Sequence, residues 1–115
     1  MFIEILKSKI HRVTITEANL DYIGSITLDP ALMNSANIVP GEKVQVLNVV
    51  NGERLETYVI EGSKRGEVCI NGPAALKMNV GDIIIIVSYA LLEPELASGH
   101  VPTIIFPNEK TNSID

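Results

Sequence analysis

The pattern of apolar and polar positions along the chain predicts a mainly β protein. Eight stretches rich in β-branched and aromatic residues are bounded by Gly, Pro, Asn and Asp, as strands are. The predicted strands are 2–6, 10–16, 22–28, 43–50, 54–60, 68–70, 83–90 and 101–106. Short helical segments are predicted after Asp29-Pro30, after Asn71-Gly72 and at 93–97, because Asp caps a helix and Pro suits its first turn.

Two segments of the chain share one order of elements. Residues 25–46 and 67–86 both read as a strand, a turn, a proline, a short helix, a glycine followed by an acidic residue, and a second strand. Two such units suggest a closed barrel with pseudo-twofold symmetry, and closure removes exposed strand edges. The units exclude a doubly wound α/β fold, whose long helices have no room. We expect one domain over 1–107 and a loose polar tail over 108–115.

Individual positions carry further structural expectations. Period-2 alternation places His11, Val13 and Ile15 on one strand face, where His11 reads as a structural histidine. Asn51-Gly52 is a two-residue hairpin signal that pairs strand 43–50 with strand 54–60. The run 83–87 lacks alternation, so burial on both faces is expected. Cys69, between two apolar residues, reads as a small core residue.

Composition narrows the class of protein. The 115 residues are 46% hydrophobic, a high share for so small a domain, and this favours an oligomer. The net charge of −5, with scarce aromatics and no basic cluster, argues against a nucleic-acid binder. The longest apolar run is far too short to span a bilayer, and no signal-peptide pattern is present, so a cytoplasmic protein without membrane contact is expected. Metal and nucleotide motifs are missing, and a single cysteine excludes an internal disulfide.

The dipeptide Gly24-Ser25 interrupts an otherwise stiff strand and allows two interpretations. Gly-Ser pairs commonly mark bulges and turns. Alternatively, Gly24 lets the chain kink, so that the Ser25 hydroxyl attacks the Gly24 carbonyl carbon and the acyl group moves from nitrogen to oxygen. Elimination of that ester would leave dehydroalanine, and hydrolysis of its enamine would leave a ketone. The chain would then be cut after Gly24, with residue 25 converted to a pyruvoyl group.

Four motifs, through their order and spacing along the chain, favour the self-cleavage interpretation. They are "KIHR" at 9–12, "YIGS" at 22–25, "NGERLETY" at 51–58 and "NGPAA" at 71–75. Together they resemble the pyruvoyl-dependent aspartate 1-decarboxylases. The resemblance implies a six-stranded double-psi β-barrel and a zymogen that cuts itself into 1–24 and 25–115. It also implies a cytoplasmic homotetramer with active sites shared between subunits.

The resemblance further implies the reaction of this lyase and its cofactor. L-Aspartate would form a Schiff base with the pyruvoyl group made from Ser25, lose carbon dioxide and leave as β-alanine for pantothenate biosynthesis. The pyruvoyl ketone takes the part of an electron sink, so neither a metal nor pyridoxal phosphate would be required. Whether an accessory maturation factor triggers the cleavage stays open.

Roles for individual residues follow from the same resemblance. Ser25 would become the cofactor, Gly24 the new carboxyl terminus, and Tyr58 the proton donor after decarboxylation. Thr57 would assist self-cleavage by hydrogen-bonding the Gly24 carbonyl oxygen, and would also contact substrate. The remaining substrate-binding residues would be Lys9, Arg54, Asn71, Gly72, Pro73 and Ala74. Pro73 departs from the small residue usual in the family, and it removes a backbone donor.

Two points stay open at the level of sequence. On a regular strand, Arg54 and Tyr58 point to one face and Thr57 points to the other. Either a bulge turns one of these side chains to the other face, or the two faces contribute to the sites of different subunits. Without the resemblance, Lys9 and Arg54 would be solvated surface charges. Two other functions remain as alternatives: a non-catalytic barrel that binds a ligand, and a hydrolase whose cleavage exposes Ser25 with a free amine.

Overall fold

A computed structural model describes residues 1–114 and arranges them around one mixed β-sheet. The strands are β1 (Ile3–Thr14), β2 (Glu17–Asn19), β3 (Ser25–Leu28), β4 (Lys43–Asn48), β5 (Arg54–Glu61), β6 (Val68–Asn71), β7 (Ile83–Leu92) and β8 (Thr103–Ile105). The connections contain α1 (Pro30–Ala36), a 3₁₀ helix (Gly72–Leu76) and α2 (Pro94–Ala97). The prediction of a mainly β protein with short helices is confirmed.

The strand order of the sheet is β2-β6-β3-β5-β4-β7-β1-β8. Strands β2 and β8 have three residues each and pair in parallel with β6 and β1. The resemblance implied six strands, whereas the described sheet has eight. The difference lies in these two short strands at the ends of the order.

One hydrophobic core lies beneath the sheet and α1. Its fully or almost fully buried members come from six of the eight strands, all but β2 and β8, and from α1 and the connecting segments. Burial of such side chains stabilises the fold by about 25 cal/mol for each Å² of apolar surface removed from water. The members are Ile10, Val13, Ile15, Ile26, Leu28, Leu32, Met33, Ala36, Ile38, Val44, Val46, Val59, Val68, Ile70, Met78, Ile84 and Ile86.

The internal repeat recognised in the sequence is confirmed as two strand–helix–strand units. The first is β3, α1 and β4, and the second is β6, the 3₁₀ helix and β7. Asp29 caps α1 as predicted, because its Oδ1 accepts from the Ala31 amide at 2.9 Å. Its Oδ2 accepts from the Gly66 amide at 2.6 Å, which ties α1 to the loop before β6. The two repeats therefore meet where β3 and β6 pair.

The first strand differs from its sequence-based expectation. Residues 2–6 and 10–16 were predicted as two strands, but β1 runs from Ile3 to Thr14 along β7, with register shifts at 6/8 and 11/13. Arg12 has a φ of 74° at the second shift. Because this bulge inserts one residue, Ile10 and not His11 faces the core with Val13. His11 instead packs edge-on against the ring of Phe106, with centroids 5.5 Å apart.

The C-terminal tail is not loose over its described residues, contrary to expectation. Asn112 is 2% exposed and holds the tail to the body of the molecule. Its Nδ2 donates to the backbone oxygens of Thr14 and Gly66, and its Oδ1 accepts from the Thr14 amide at 2.8 Å. Asp115, the last residue of the predicted tail, lies outside the described residues.

Two smaller features complete the fold. The β4–β5 hairpin is present, but its loop covers residues 49–53 and not two residues, with only Gly52 among them at positive φ (75°). A type I′ turn needs positive φ at both central positions, so the longer loop forms instead. No helix within residues 1–114 has the length and apolar character required to cross a membrane.

Candidate active site

The Gly24-Ser25 peptide lies where the chain enters β3. Ser25 is 1% exposed, and its Oγ donates to the backbone oxygen of Ile23 at 3.3 Å. Across the antiparallel β3–β6 pair, Ser25 is the partner of Asn71. Paired residues of antiparallel strands project from the same face of a sheet, so two positions distant in sequence become neighbours.

The side chain of Asn71 connects the two strands. Its Nδ2 donates to Ser25 Oγ and to Thr27 Oγ1, both at 2.9 Å. Asn71 precedes the 3₁₀ helix, but its side chain makes no capping bond there. The buried amide instead donates to Ser25, whose hydroxyl is the nucleophile expected from the sequence.

Gly72 is the glycine whose missing side chain this site requires. Its φ is +73°, and a Cβ there would lie 2.7 Å from Gly24 Cα and 2.9 Å from Gly24 N. The backbone of Gly72 therefore packs directly against the backbone of Gly24. Gly24 itself is outside the left-handed region, and a Cβ on it would meet nothing nearer than Pro73 Cδ at 3.8 Å. Nothing in the backbone angle or the surroundings of Gly24 therefore requires a glycine before cleavage, and its part in self-cleavage stays a prediction.

An open pocket of about 350 Å³ lies beside Gly24. It brings together several of the residues that the sequence analysis selected. Ala74 and Pro73 belong to the first turn of the 3₁₀ helix, and Thr57 comes from β5. The pocket is lined by Gly24, Leu55, Glu56, Thr57, Asn71, Pro73, Ala74 and Lys77.

Strand β5 presents its two faces to different surroundings. Leu55 and Thr57 are half-buried and line the pocket, whereas Arg54 and Tyr58 are exposed and do not. Glu56, exposed between Leu55 and Thr57, also reaches the rim of the pocket. The β4–β5 register runs from Lys43↔Tyr58 to Leu47↔Arg54 without a shift. The alternation is therefore regular, and no bulge within this pair turns Tyr58 towards the side of Thr57.

Five of the predicted site residues do not line this pocket within the described part of the chain: Ser25 and Gly72, which lie next to lining residues in the chain, and Lys9, Arg54 and Tyr58. Lys9 lies on β1, and three strands (β5, β4 and β7) separate β1 from β3 in the sheet. Arg54 donates through Nη1 to Gln45 Oε1 at 2.8 Å, and Tyr58 is 40% exposed. The fold of one chain thus gathers the residues proposed for cleavage, together with Asn71, Pro73 and Ala74, and leaves Lys9, Arg54 and Tyr58 outside the pocket.

The predicted interpretation of Cys69 as a small core residue is incomplete. The thiol is buried, but its sulfur lies 3.2 Å from Asn71 Oδ1 and 3.3 Å from Glu17 Oε2. Burial, and then the Glu17 carboxylate, raise the pKa of Cys69 to about 12. A thiol with that pKa keeps its proton at neutral pH and acts as a hydrogen-bond donor.

Sequence reasoning gave no site role to several residues around Ser25 and the pocket, among them Cys69, Glu17 and Lys77. Cys69 and Glu17 are parallel partners across β2 and β6, and short β2 was not predicted at all. Lys77 follows "NGPAAL" directly, but nothing in its spacing indicated that it would bring a positive charge to the pocket. Among residues 1–114, no three His, Cys, Asp or Glu side chains are grouped as a metal site would need.

Comparison with known proteins identifies the family. The family model described as aspartate decarboxylase matches residues 1–114. An aspartate 1-decarboxylase of Flavobacterium psychrophilum is 57% identical over 115 residues, covering 99% of both chains. Those of Parabacteroides distasonis and Cytophaga hutchinsonii are 55% and 56% identical over the same length, covering 99% of this chain and 99% and 100% of theirs. The chain therefore belongs to the aspartate decarboxylase family.

Proposed function

We propose that this protein cuts its own chain between Gly24 and Ser25 and then decarboxylates L-aspartate to β-alanine and carbon dioxide, in pantothenate biosynthesis. The observation that carries the proposal is the surroundings of Ser25. A buried hydroxyl, held by the Asn71 amide, adjoins a glycine peptide at the edge of a pocket that Thr57 lines. Relatives that match the chain over almost its full length are named for the same reaction.

Self-cleavage needs no reagent other than water. Ser25 Oγ forms a bond to the Gly24 carbonyl carbon, its proton passes to the Ser25 nitrogen, the C–N bond breaks to leave a free amine, and the acyl group becomes an ester on Oγ. Loss of the α-proton and of the Cβ–O bond releases Gly24 as a carboxylate and leaves dehydroalanine. One water then replaces the nitrogen, which leaves as ammonia, and residue 25 ends as a ketone.

The chain's own residues assist the first stage, the acyl shift from nitrogen to oxygen. Asn71 Nδ2 fixes Oγ and stabilises negative charge on it as its proton leaves. Thr57 is placed on the pocket side of β5, where its hydroxyl can donate to the Gly24 carbonyl oxygen as that oxygen gains charge. Gly72 supports the backbone of Gly24 from the other side. All three residues surround the peptide whose C–N bond breaks.

The residues around position 25 fit a ketone there. The group derives from Ser25 itself, Asn71 offers a hydrogen-bond donor, and the missing Cβ of Gly72 leaves room for the backbone. When present, the ketone supplies the electron sink for decarboxylation. With this ketone in place, the reaction requires no separate cofactor such as a metal or pyridoxal phosphate.

Substrate binding and protonation are proposed for Lys9, Arg54 and Tyr58. Aspartate carries two carboxylates and the chain is anionic, so the site needs cations; Arg54 suits a bidentate grip and Lys9 a point charge. A tyrosine hydroxyl carries its proton at neutral pH and can donate it to the carbon that lost carbon dioxide. Asn71, Gly72, Pro73 and Ala74 would form the remaining wall.

We further propose a homotetramer in which these residues act on a neighbour's residue 25. The regular alternation of β5 supports this arrangement, because Thr57 lies on the side of its own Gly24 while Arg54 and Tyr58 face outwards. A cytoplasmic location belongs to the same proposal and agrees with a free, buried thiol at Cys69.

Two experiments test these proposals. Intact-mass analysis should give fragments 1–24 and 25–115 whose masses sum to the precursor plus one water minus one ammonia, and β-alanine should appear from L-aspartate. An uncut chain, pure or incubated with a cell extract that supplies any maturation factor, would favour a binding module. A free amine on Ser25 would favour the hydrolase.

The shared site is tested by co-expressing Ser25→Ala with Tyr58→Phe. The first variant has no ketone and the second has no proton donor. If Tyr58 acts across the interface, mixed oligomers recover activity that neither variant has alone. Activity no higher than that of separate preparations would place both groups in one chain.

A further inference from the structure

The buried thiol of Cys69 is not used by the proposed chemistry, yet it contacts the residue that holds the nucleophile. Its sulfur lies 3.2 Å from Asn71 Oδ1, while Asn71 Nδ2 lies 2.9 Å from Ser25 Oγ. Cys69 and Asn71 are both about 3% exposed, and Ser25 is 1% exposed. Three buried groups therefore form one hydrogen-bonded series that ends at the attacking atom.

The orientation of the Asn71 amide is the point at which the thiol matters. Its Nδ2 faces two hydroxyls, those of Ser25 and Thr27, and a hydroxyl can either donate or accept. The Ser25 hydroxyl donates to the Ile23 backbone oxygen over a long 3.3 Å, which leaves its oxygen as an acceptor for Nδ2, whereas the Thr27 hydroxyl can take either role. A protonated thiol offers a weak donor, and on its side of the amide it favours the carbonyl end. Cys69 therefore adds to the weak bond of Ser25 in selecting the orientation.

Burial keeps this thiol protonated. The pKa of Cys69 is raised to about 12, first by desolvation and then by the Glu17 carboxylate. Glu17 Oε2, at 3.3 Å, competes for the same proton, but Glu17 is exposed and its carboxylate is also open to water. Asn71 Oδ1 is buried, and a buried oxygen left without a donor is costly.

We propose, on the basis of the self-cleavage set out above, that Cys69 is a positioning residue whose thiol donates to Asn71 Oδ1 and so directs Nδ2 onto Ser25 Oγ. Without that donor, the amide can rotate and place its oxygen against Ser25. The nucleophile then loses the donor that stabilises its developing charge. Cys69 acts through Asn71 and touches no reacting atom.

The test follows self-cleavage of freshly made, full-length chain by cell-free synthesis and timed mass analysis. Cys69→Val fills the space without a donor and should slow cleavage about tenfold, which corresponds to about 1.4 kcal/mol. Cys69→Ser keeps a donor and should cleave at a rate within about threefold of wild type, because the variant differs from wild type only by a small loss of packing. Both variants are also assayed for thermal stability.

A second background separates positioning from a general loss of packing. In Asn71→Ala, which cleaves slowly for lack of the amide, adding Cys69→Val should change the rate no further. Equal rates for wild type and Cys69→Val, a faster Cys69→Val, or the same slowing in both backgrounds would each overturn the inference. An uncut wild type would overturn the proposed function itself, which distinguishes the two failures.

Discussion

Replacing Gly72 with alanine tests whether the backbone contact at Gly24 controls self-cleavage. The new Cβ would lie 2.7 Å from Gly24 Cα, 2.9 Å from Gly24 N and 3.1 Å from the Tyr22 backbone oxygen. Carbon atoms in contact normally lie about 3.5–4.0 Å apart, so the Gly24 backbone must move by roughly 1 Å. A displacement of that size costs about 10²-fold in rate at a reacting centre.

The same substitution also strains its own backbone, and a control removes that effect. Gly72 has φ +73°, where a residue with a Cβ pays about 1–2 kcal/mol. Gly52 has φ +75° and nothing within 4 Å of its would-be Cβ, so Gly52→Ala carries the strain without the clash. Overpacking adds about 1–3 kcal/mol more at Gly72.

Rates are measured by timed mass analysis of newly made chain. Stability is measured by urea unfolding at one protein concentration in a Ser25→Ala background, so that every sample is a single uncut chain. We expect Gly72→Ala to cleave about 10²-fold more slowly, while Gly52→Ala cleaves at a rate close to wild type. Wild-type cleavage by Gly72→Ala, or equal slowing by both variants, would refute the steric reasoning.

Four further changes have expected outcomes. Ser25→Ala should give one folded, uncut and inactive chain by mass and assay; any decarboxylation would contradict the scheme. Thr57→Val keeps the shape but removes the hydroxyl, and timed mass analysis should show cleavage slowed by about 10²–10³-fold. Tyr58→Phe should cleave normally yet turn over about 10²–10⁴-fold more slowly in the β-alanine assay, and wild-type turnover would remove it as proton donor. Asp29→Ala loses the α1 cap and the Gly66 bond, so urea unfolding should show about 2–3 kcal/mol less stability, whereas an unchanged value would contradict the role of the cap.

Local signals in the sequence were sufficient for much of the fold. Asp29-Pro30 predicted where α1 begins, because capping depends on adjacent residues only. The repeat predicted both strand–helix–strand units for the same reason. The continuous β1 was not predicted, since the bulge at Arg12 is fixed by pairing with β7, more than 70 residues away along the chain. Likewise, the tail is held by Asn112 through contacts with Thr14 and Gly66 that no local pattern records.

The candidate site divides in a similar way. The motifs "YIGS", "NGERLETY" and "NGPAA" pointed to Gly24, Thr57 and Asn71, and the fold brings these three residues to one pocket. The bonds that join Asn71 to Ser25 and Cys69 to Glu17 span 46 and 52 residues, and they arise from strand register. The strand register can be predicted only if the pairing of β2, β6 and β3 is already known. The contacts of the Cys69 thiol could therefore not be predicted from the sequence.

The conversion of Ser25 into a ketone is tested most directly by trapping it. Purified protein is incubated with L-aspartate and a mild hydride reductant, its intact mass is measured, and a digest of the same sample then locates the added mass. We expect fragment 25–115 alone to gain the substrate, with the added mass at residue 25, and the Ser25→Ala chain to gain none. Recovery of an unbroken, unlabelled chain of 115 residues would contradict the proposed chemistry.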